Sequence, residues 1–170
     1  MTGYLGLGSN LGDRRANLQA AVDALGVRGV HVATSSSVYE TAPVGEVLDQ
    51  PAFLNACVRI DTGLEPEALL DVAKAIEREL GREAAGVRHG PRPVDVDILL
   101  LGPRAHESPR LRVPHPALLE RRFVLVPLLE LDLELRTPDG TRLADVLAAM
   151  PVDGGVRRHG PALTTPSARP

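Results

Sequence analysis

The chain has 170 residues, with 19 Lys+Arg against 22 Asp+Glu and a formal charge of −3. At 44% hydrophobic and 24% charged it has the make-up of one folded domain with its own core, not of a disordered or fibrous chain. The slight acidic excess argues against nucleic acid or an anionic membrane as partner. Cys57 is the only cysteine, which excludes an internal disulfide, a redox pair and a Cys-rich zinc site and fits a reducing, cytoplasmic setting. MTGYLGLGSNLGD at the start has no basic run ahead of its apolar residues, so no secretory signal is expected. The apolar run Ile98 to Leu101 is far too short to span a bilayer.

Gly3 to Gly8 reads as a short buried strand entering a glycine turn. Ser9 to Asp13 supplies helix-start chemistry, and Leu18, Val22 and Leu25 give Arg14 to Leu25 helical spacing, with Gly26 as the stop. Val30 to Tyr39 is β-branched and hydroxyl-rich, a strand by composition. Glu40 to Pro51 holds two prolines and a glycine and reads as a loop. Ala52 to Asp61 alternates as a strand. Pro66 to Leu80 is a helix with Pro66 in its first turn, an apolar face through Leu69, Leu70, Ala73 and Ile76, and Gly81 as its cap.

Arg82 to Pro93 is a second Gly/Pro/Arg loop, and Val94 to Leu101 is a strand. Helical segments follow at Pro116 to Leu119, Arg121 to Leu131 and Leu143 to Met150, with a turn at Pro138 to Gly140. The last twenty residues show no period and read as a tail, so the domain is expected over 1–150 and a flexible C-terminal tail over 151–170. The order β-α-β-β-α-β predicts an α+β fold: a ferredoxin-like sandwich, with helices on one face of a mainly antiparallel sheet.

The sharpest local feature is Asp95-Val96-Asp97 within VDVDILLL. Residues two apart on a strand share a face, so both carboxylates project the same way, about 7 Å apart. Two acids on one strand face repel unless a cation lies opposite. Magnesium takes one or two carboxylates together with substrate phosphates; a solvated face paired to arginines is the alternative reading. Just upstream stand Arg82, Arg88 and Arg92 in a loop with Gly86 and Gly90. That loop has the parts to clamp a metal-bound triphosphate, because a guanidinium fork binds phosphate oxygens bidentately. It equally could neutralise the two acids.

His115 between Pro114 and Pro116 is held rigidly, which suits a fixed hydrogen-bond donor or a structural role. Phe53 and Asn55 share a strand face, where a ring and an amide could stack and read a flat heterocycle; Phe53 as ordinary core is the alternative. GxxxxGK[ST] is absent, and Gly6-Leu7-Gly8 lacks the last glycine of GxGxxG, so neither common nucleotide cradle is present.

Taken in order, LGLGSNLGDR, SSVYETAPVG, DQPAFLNACV, Ile76-Glu77, Leu80-Gly81-Arg82, HGPRPVDVDILLLG and LRVPHPALLERRFVLVPL resemble the 6-hydroxymethyl-7,8-dihydropterin pyrophosphokinase family from about Tyr4 to Leu147. The resemblance implies transfer of pyrophosphate from ATP to the pterin hydroxymethyl oxygen, with release of AMP, in folate biosynthesis. It implies that Asp95 and Asp97 hold two Mg2+ ions and that Arg82 and Arg92 grip the phosphates. Glu77, Arg88, Ile98, Arg110, His115 and Arg121 fall where the family contacts ATP. Thr41, Ala42, Val44, Phe53, Asn55 and Phe123 fall where the pterin is held. The departures are Lys74, Ala84, His89 and Arg112, and no general base is evident. ATP and the pterin are the expected partners of a monomer. Another Mg-ATP phosphotransferase, or a non-catalytic ligand-binding module on the same fold, is the alternative.

Overall fold

A computed structural model describes residues 1–42, 50–81, 93–152 and 155–166. Strand β1 (Thr2–Ser9) sends Leu5 and Leu7 to one side of the sheet and Tyr4, Gly6 and Gly8 to the other, as the two-residue period of a strand requires. Helix α1 (Arg14–Val27) begins where the Asp13 carboxylate accepts the Ala16 N–H at 3.0 Å. It runs one residue past Gly26, the expected stop; the chain turns instead at Gly29, whose φ of 78° favours glycine.

The expected strand Val30 to Tyr39 is two strands, β2 (His31–Ser35) and β3 (Val38–Thr41), both antiparallel to β4 (Phe53–Asp61). Ser36 makes the break. Its N–H donates to Cys57 O at 2.8 Å, while Cys57 N–H donates to the Ser36 hydroxyl at 2.9 Å, so a side-chain oxygen stands in for a ladder carbonyl.

Helix α2 (Pro66–Leu80) starts on proline and ends at Gly81. Strand β5 (Asp95–Leu101) lies antiparallel to β1, with a bulge that turns Leu99 and Leu100 to the same side. A small ribbon, β6 (His106–Glu107) with β7 (Arg112–Val113), leads through a 3-10 turn at Leu118–Glu120 into α3 (Arg122–Leu131) and α4 (Leu143–Ala149). With a last strand, β8 (Val156–Gly160), the sheet order is β5-β1-β4-β3-β8, with β2 also on β4. Among the described residues no helix is long and apolar enough to cross a membrane.

Two expectations are corrected. Residues 156–166 are no tail: β8 (Val156–Gly160) pairs with β3, Leu163 is buried, and Arg15 and Gln19 hold the Pro161 and Thr164 carbonyls. An outer strand edge carries unpaired main-chain groups that any extended segment can satisfy, and such pairing leaves no apolar period to read. Helices also cover both faces, not one. Leu18, Val22 and Leu25 of α1 with Leu69, Ala73 and Ile76 of α2 pack on Leu5, Leu7, Val58, Ile60 and Val96. Val124, Leu125 and Leu128 of α3 with Leu143 of α4 pack on Tyr4, Cys57, Leu99 and Leu100 of the opposite face.

Candidate functional site

On the α3 side of the sheet, registers that are fixed far away bring the site together row by row. Asp95 lies opposite Gly8, Gly8 opposite Asn55, and Asn55 opposite Tyr39; Asp97 lies opposite Gly6, and Gly6 opposite Cys57. Thr41 lies opposite Phe53. Strands are about 4.8 Å apart, so the acids and Asn55 stand roughly 10 Å from each other across β1. Because β1 presents only glycines between them, no side chain of the described residues fills that space. A Cβ on Gly8 would sit 3.0 Å from Asn55 Oδ1, closer than an unstrained contact allows.

The result is one cavity whose wall carries Asp95 and Asp97 at one end and Thr41, Ala42, Phe53 and Asn55 at the other, with Arg121, Phe123 and Val124 over it from α3. Arg121 caps α3 and lies 5.7 Å above the Phe123 ring, a cation on an aromatic face. Asn55 is buried and its Nδ2 donates to Thr41 Oγ1 at 2.6 Å. That bond fixes which way the amide points, so Oδ1 is presented toward Gly8.

Of the residues singled out from sequence, Thr41, Ala42, Phe53, Asn55, Asp95, Asp97, Arg121 and Phe123 line this cavity. Glu77 lies at the open edge of β5, where Oε1 accepts Val96 N–H at 2.9 Å and Oε2 meets Lys74 at 2.9 Å. The Ile98 side chain is buried in the opposite core; by the strand period its main chain faces the same open edge as Val96. Arg110 is tied to α2, at 2.5 Å from Asp71 and 3.5 Å from Glu67. Val44, Arg82, Arg88 and Arg92 lie outside the described residues.

His115 is tied down at both ends: its N–H donates to Leu99 O at 3.0 Å and its Nδ1 accepts Ala117 N–H at 3.1 Å. Burial pushes its pKa down, with Asp97 opposing and Arg121 adding to the effect. With Nδ1 engaged as an acceptor, the neutral ring carries its proton on Nε2 and presents it as a fixed donor.

Sequence reading missed Gly6, Gly8 and Cys57 as cavity floor. The signal was there in the two-residue spacing of the glycines, which strips one face of a strand, and in Cys57 lying two residues beyond Asn55. Burial, with Asp97 adding to it, pushes the Cys57 thiol up, so it stays protonated and does not act as a nucleophile.

Residues 4–133 match the family model for 7,8-dihydro-6-hydroxymethylpterin-pyrophosphokinase. A 2-amino-4-hydroxy-6-hydroxymethyldihydropteridine pyrophosphokinase of Pseudomonas aeruginosa is 44% identical over 158 residues, covering 92% of this chain and 96% of that protein. The Bacillus subtilis protein of the same name is 50% identical over 129 residues, 75% of this chain and 76% of its own. A folate synthesis bifunctional protein of Arabidopsis thaliana is 48% identical over 127 residues, but this chain spans only 26% of its length. In solved structures the fold recurs in an HPPK-DHPS in complex with substrates, at a TM-score of 0.71 and 12% identity over 99% of this chain and 48% of that one. With a family match over most of its length and a relative matched nearly end to end, the chain belongs to the 7,8-dihydro-6-hydroxymethylpterin-pyrophosphokinase family.

Proposed function

We propose that this chain transfers a pyrophosphoryl group from ATP to the hydroxymethyl oxygen of 6-hydroxymethyl-7,8-dihydropterin, giving AMP and the pterin diphosphate in folate synthesis. The observation that carries the reading is a single cavity with paired carboxylates at one end and a ring-and-amide slot at the other, joined by a side-chain-free strip of β1. In this reading Phe53 and Phe123 stack on the pterin faces, and Asn55 accepts a pterin N–H through Oδ1. Thr41 keeps that amide from turning.

Asp95 and Asp97 are hard oxygen donors on one wall, a set that fits two magnesium ions. Bound there, magnesium would neutralise triphosphate charge and draw electron density from the phosphorus under attack. Arg82, Arg88 and Arg92 are assigned to the phosphates by the resemblance, as are Glu77, Ile98, Arg110, His115 and Arg121 to ATP. The hydroxymethyl oxygen forms a bond to the β-phosphorus as the bond from that phosphorus to the α,β-bridging oxygen breaks. AMP leaves with the bridging oxygen, and the hydroxyl proton passes to solvent. The chain's contribution is alignment and charge stabilisation, not covalent chemistry. The enzyme would work as a cytoplasmic monomer on these two small molecules.

Incubation with ATP, magnesium and the pterin, with products resolved by chromatography, tests the reading. Pterin-dependent AMP together with a diphosphorylated pterin is expected. ADP in place of AMP would make the chain a simple kinase, and no pterin-dependent product from folded protein would overturn the assignment.

A further inference from the structure

We infer that Arg14 is a positioning residue for the pterin end of the cavity, which it does not touch; the inference rests on the function proposed above. Arg14 opens α1 directly after the Gly12-Asp13 turn, where Gly12 takes a φ of 64°. One nitrogen, Nη1, donates to Glu40 Oε2 at 3.0 Å and to the Ala52 carbonyl at 2.9 Å. The first acceptor, Glu40, lies on β3 directly before Thr41, and the second, Ala52, directly precedes Phe53, the first residue of β4.

The pairing of β3 with β4 ends at Thr41 and Phe53, one residue short of Ala52. The Arg14 guanidinium thus joins Glu40, one position inside that last rung, to Ala52, one position outside it, and ties both to the turn that follows β1. Asn10, in the same turn, adds hydrogen bonds to Gln50 Oε1 at 2.8 Å and to the Pro51 carbonyl at 3.3 Å. Glu40 is held from its other oxygen by Arg157 of β8 at 3.0 Å, so the acceptor is itself fixed. By the strand period Glu40 faces away from Thr41, which puts the whole cross-link behind the cavity wall. SNLGDR thus gains a role that the phosphate chemistry left unassigned: it sets the spacing between Thr41, Phe53 and the glycines of β1. A guanidinium suits this post because the two N–H groups of a single planar nitrogen serve a carboxylate and a carbonyl together.

The test compares wild type with Arg14→Ala, Arg14→Lys and Glu40→Gln, all as the full chain. Binding of 6-hydroxymethyl-7,8-dihydropterin is measured in the presence of α,β-methylene-ATP and magnesium, alongside the affinity for that nucleotide alone and the thermal midpoint. Arg14→Ala should weaken pterin binding about five- to twentyfold, the scale of a charge-assisted hydrogen bond. Nucleotide affinity should stay within about twofold, and Arg14→Lys should recover part of the loss. Glu40→Gln, the milder change, should weaken the pterin about threefold and serves if Arg14→Ala does not fold. Equal pterin affinity in wild type and in the folded variants overturns the inference. So does a parallel fall of pterin and nucleotide affinity with the folded fraction, which is what a purely structural residue would produce. A wild-type chain that binds the nucleotide but not the pterin overturns the proposed function and the inference with it.

Discussion

Toward α1 and α2 the central sheet presents Leu5, Leu7, Val58, Ile60 and Val96, all 2% exposed or less; toward α3 and α4 the alternate positions of the same strands read Gly6, Gly8, Asn55, Cys57, Asp95 and Asp97. The first face is filled by side chains of matching shape, and its burial supplies much of the stability. The second is packed where Tyr4, Cys57, Leu99 and Leu100 meet α3 and α4. Beyond them the described residues leave it open, with carboxylates and an amide where methyl groups would otherwise lie. A sheet of this kind can hold unfavourable neighbours on one side because the other side holds it together.

That division can be broken from either side. The largest effect is expected for Asp97→Asn, which keeps the shape but removes a charge from the cavity wall: turnover should fall about 10³-fold, with the thermal midpoint nearly unchanged, as read by product assay and calorimetry. A variant with wild-type turnover would remove Asp97 from the chemistry. On the opposite face, Leu18→Ala empties a fully buried position of α1 and should cost about 2–5 kcal/mol of stability in denaturant unfolding. Turnover per folded molecule should hold, and a proportionate loss of turnover would show the two faces to be coupled. The smallest effect sharpens the boundary between them. Gly8→Ala places a Cβ 3.0 Å from Asn55 Oδ1, so pterin affinity should drop about tenfold, or ~1.4 kcal/mol, while nucleotide affinity is retained.

Another polar cluster on the α3 side is structural. Glu130 of α3 accepts from Ser37 N–H at 2.9 Å, the Ser37 hydroxyl at 2.7 Å and the Tyr39 hydroxyl at 2.5 Å. Burial alone would raise its pKa, but the hydrogen bonds from Tyr39 and Ser37 outweigh burial and hold the carboxyl below its usual range. Burial, and then the same contact, push the Tyr39 phenol up to about 12. It pins α3 to β3, leaving the cavity to residues at the opposite end of that helix.

Much of the site was legible before any fold was known, and for a local reason. The spacing of Asp95 and Asp97, and of Phe53 and Asn55, decides a shared face from the covalent geometry of a strand alone. Proline flanks told that His115 is held, although not that Ala117 and Leu99 hold it. Other features had no local trace. β8 reads VRRHG with little apolar content, because it is kept by main-chain pairing with β3 and by Arg157 on Glu40, 117 residues away. Nothing around Ser36 showed that its hydroxyl would replace a ladder carbonyl.

By itself, the amino-acid sequence determined the α+β class, most of the helices and strands, the shared strand faces of Asp95 with Asp97 and of Phe53 with Asn55, and the family. Those follow from short periods and from residue types in a fixed order. Only the tertiary structure decided that Gly8 stands between Asp95 and Asn55, that helices cover both faces, and that Arg14 ties Glu40 to Ala52. Each of these depends on register between segments tens of residues apart, and register is set by the packing of the whole sheet rather than by any stretch of it.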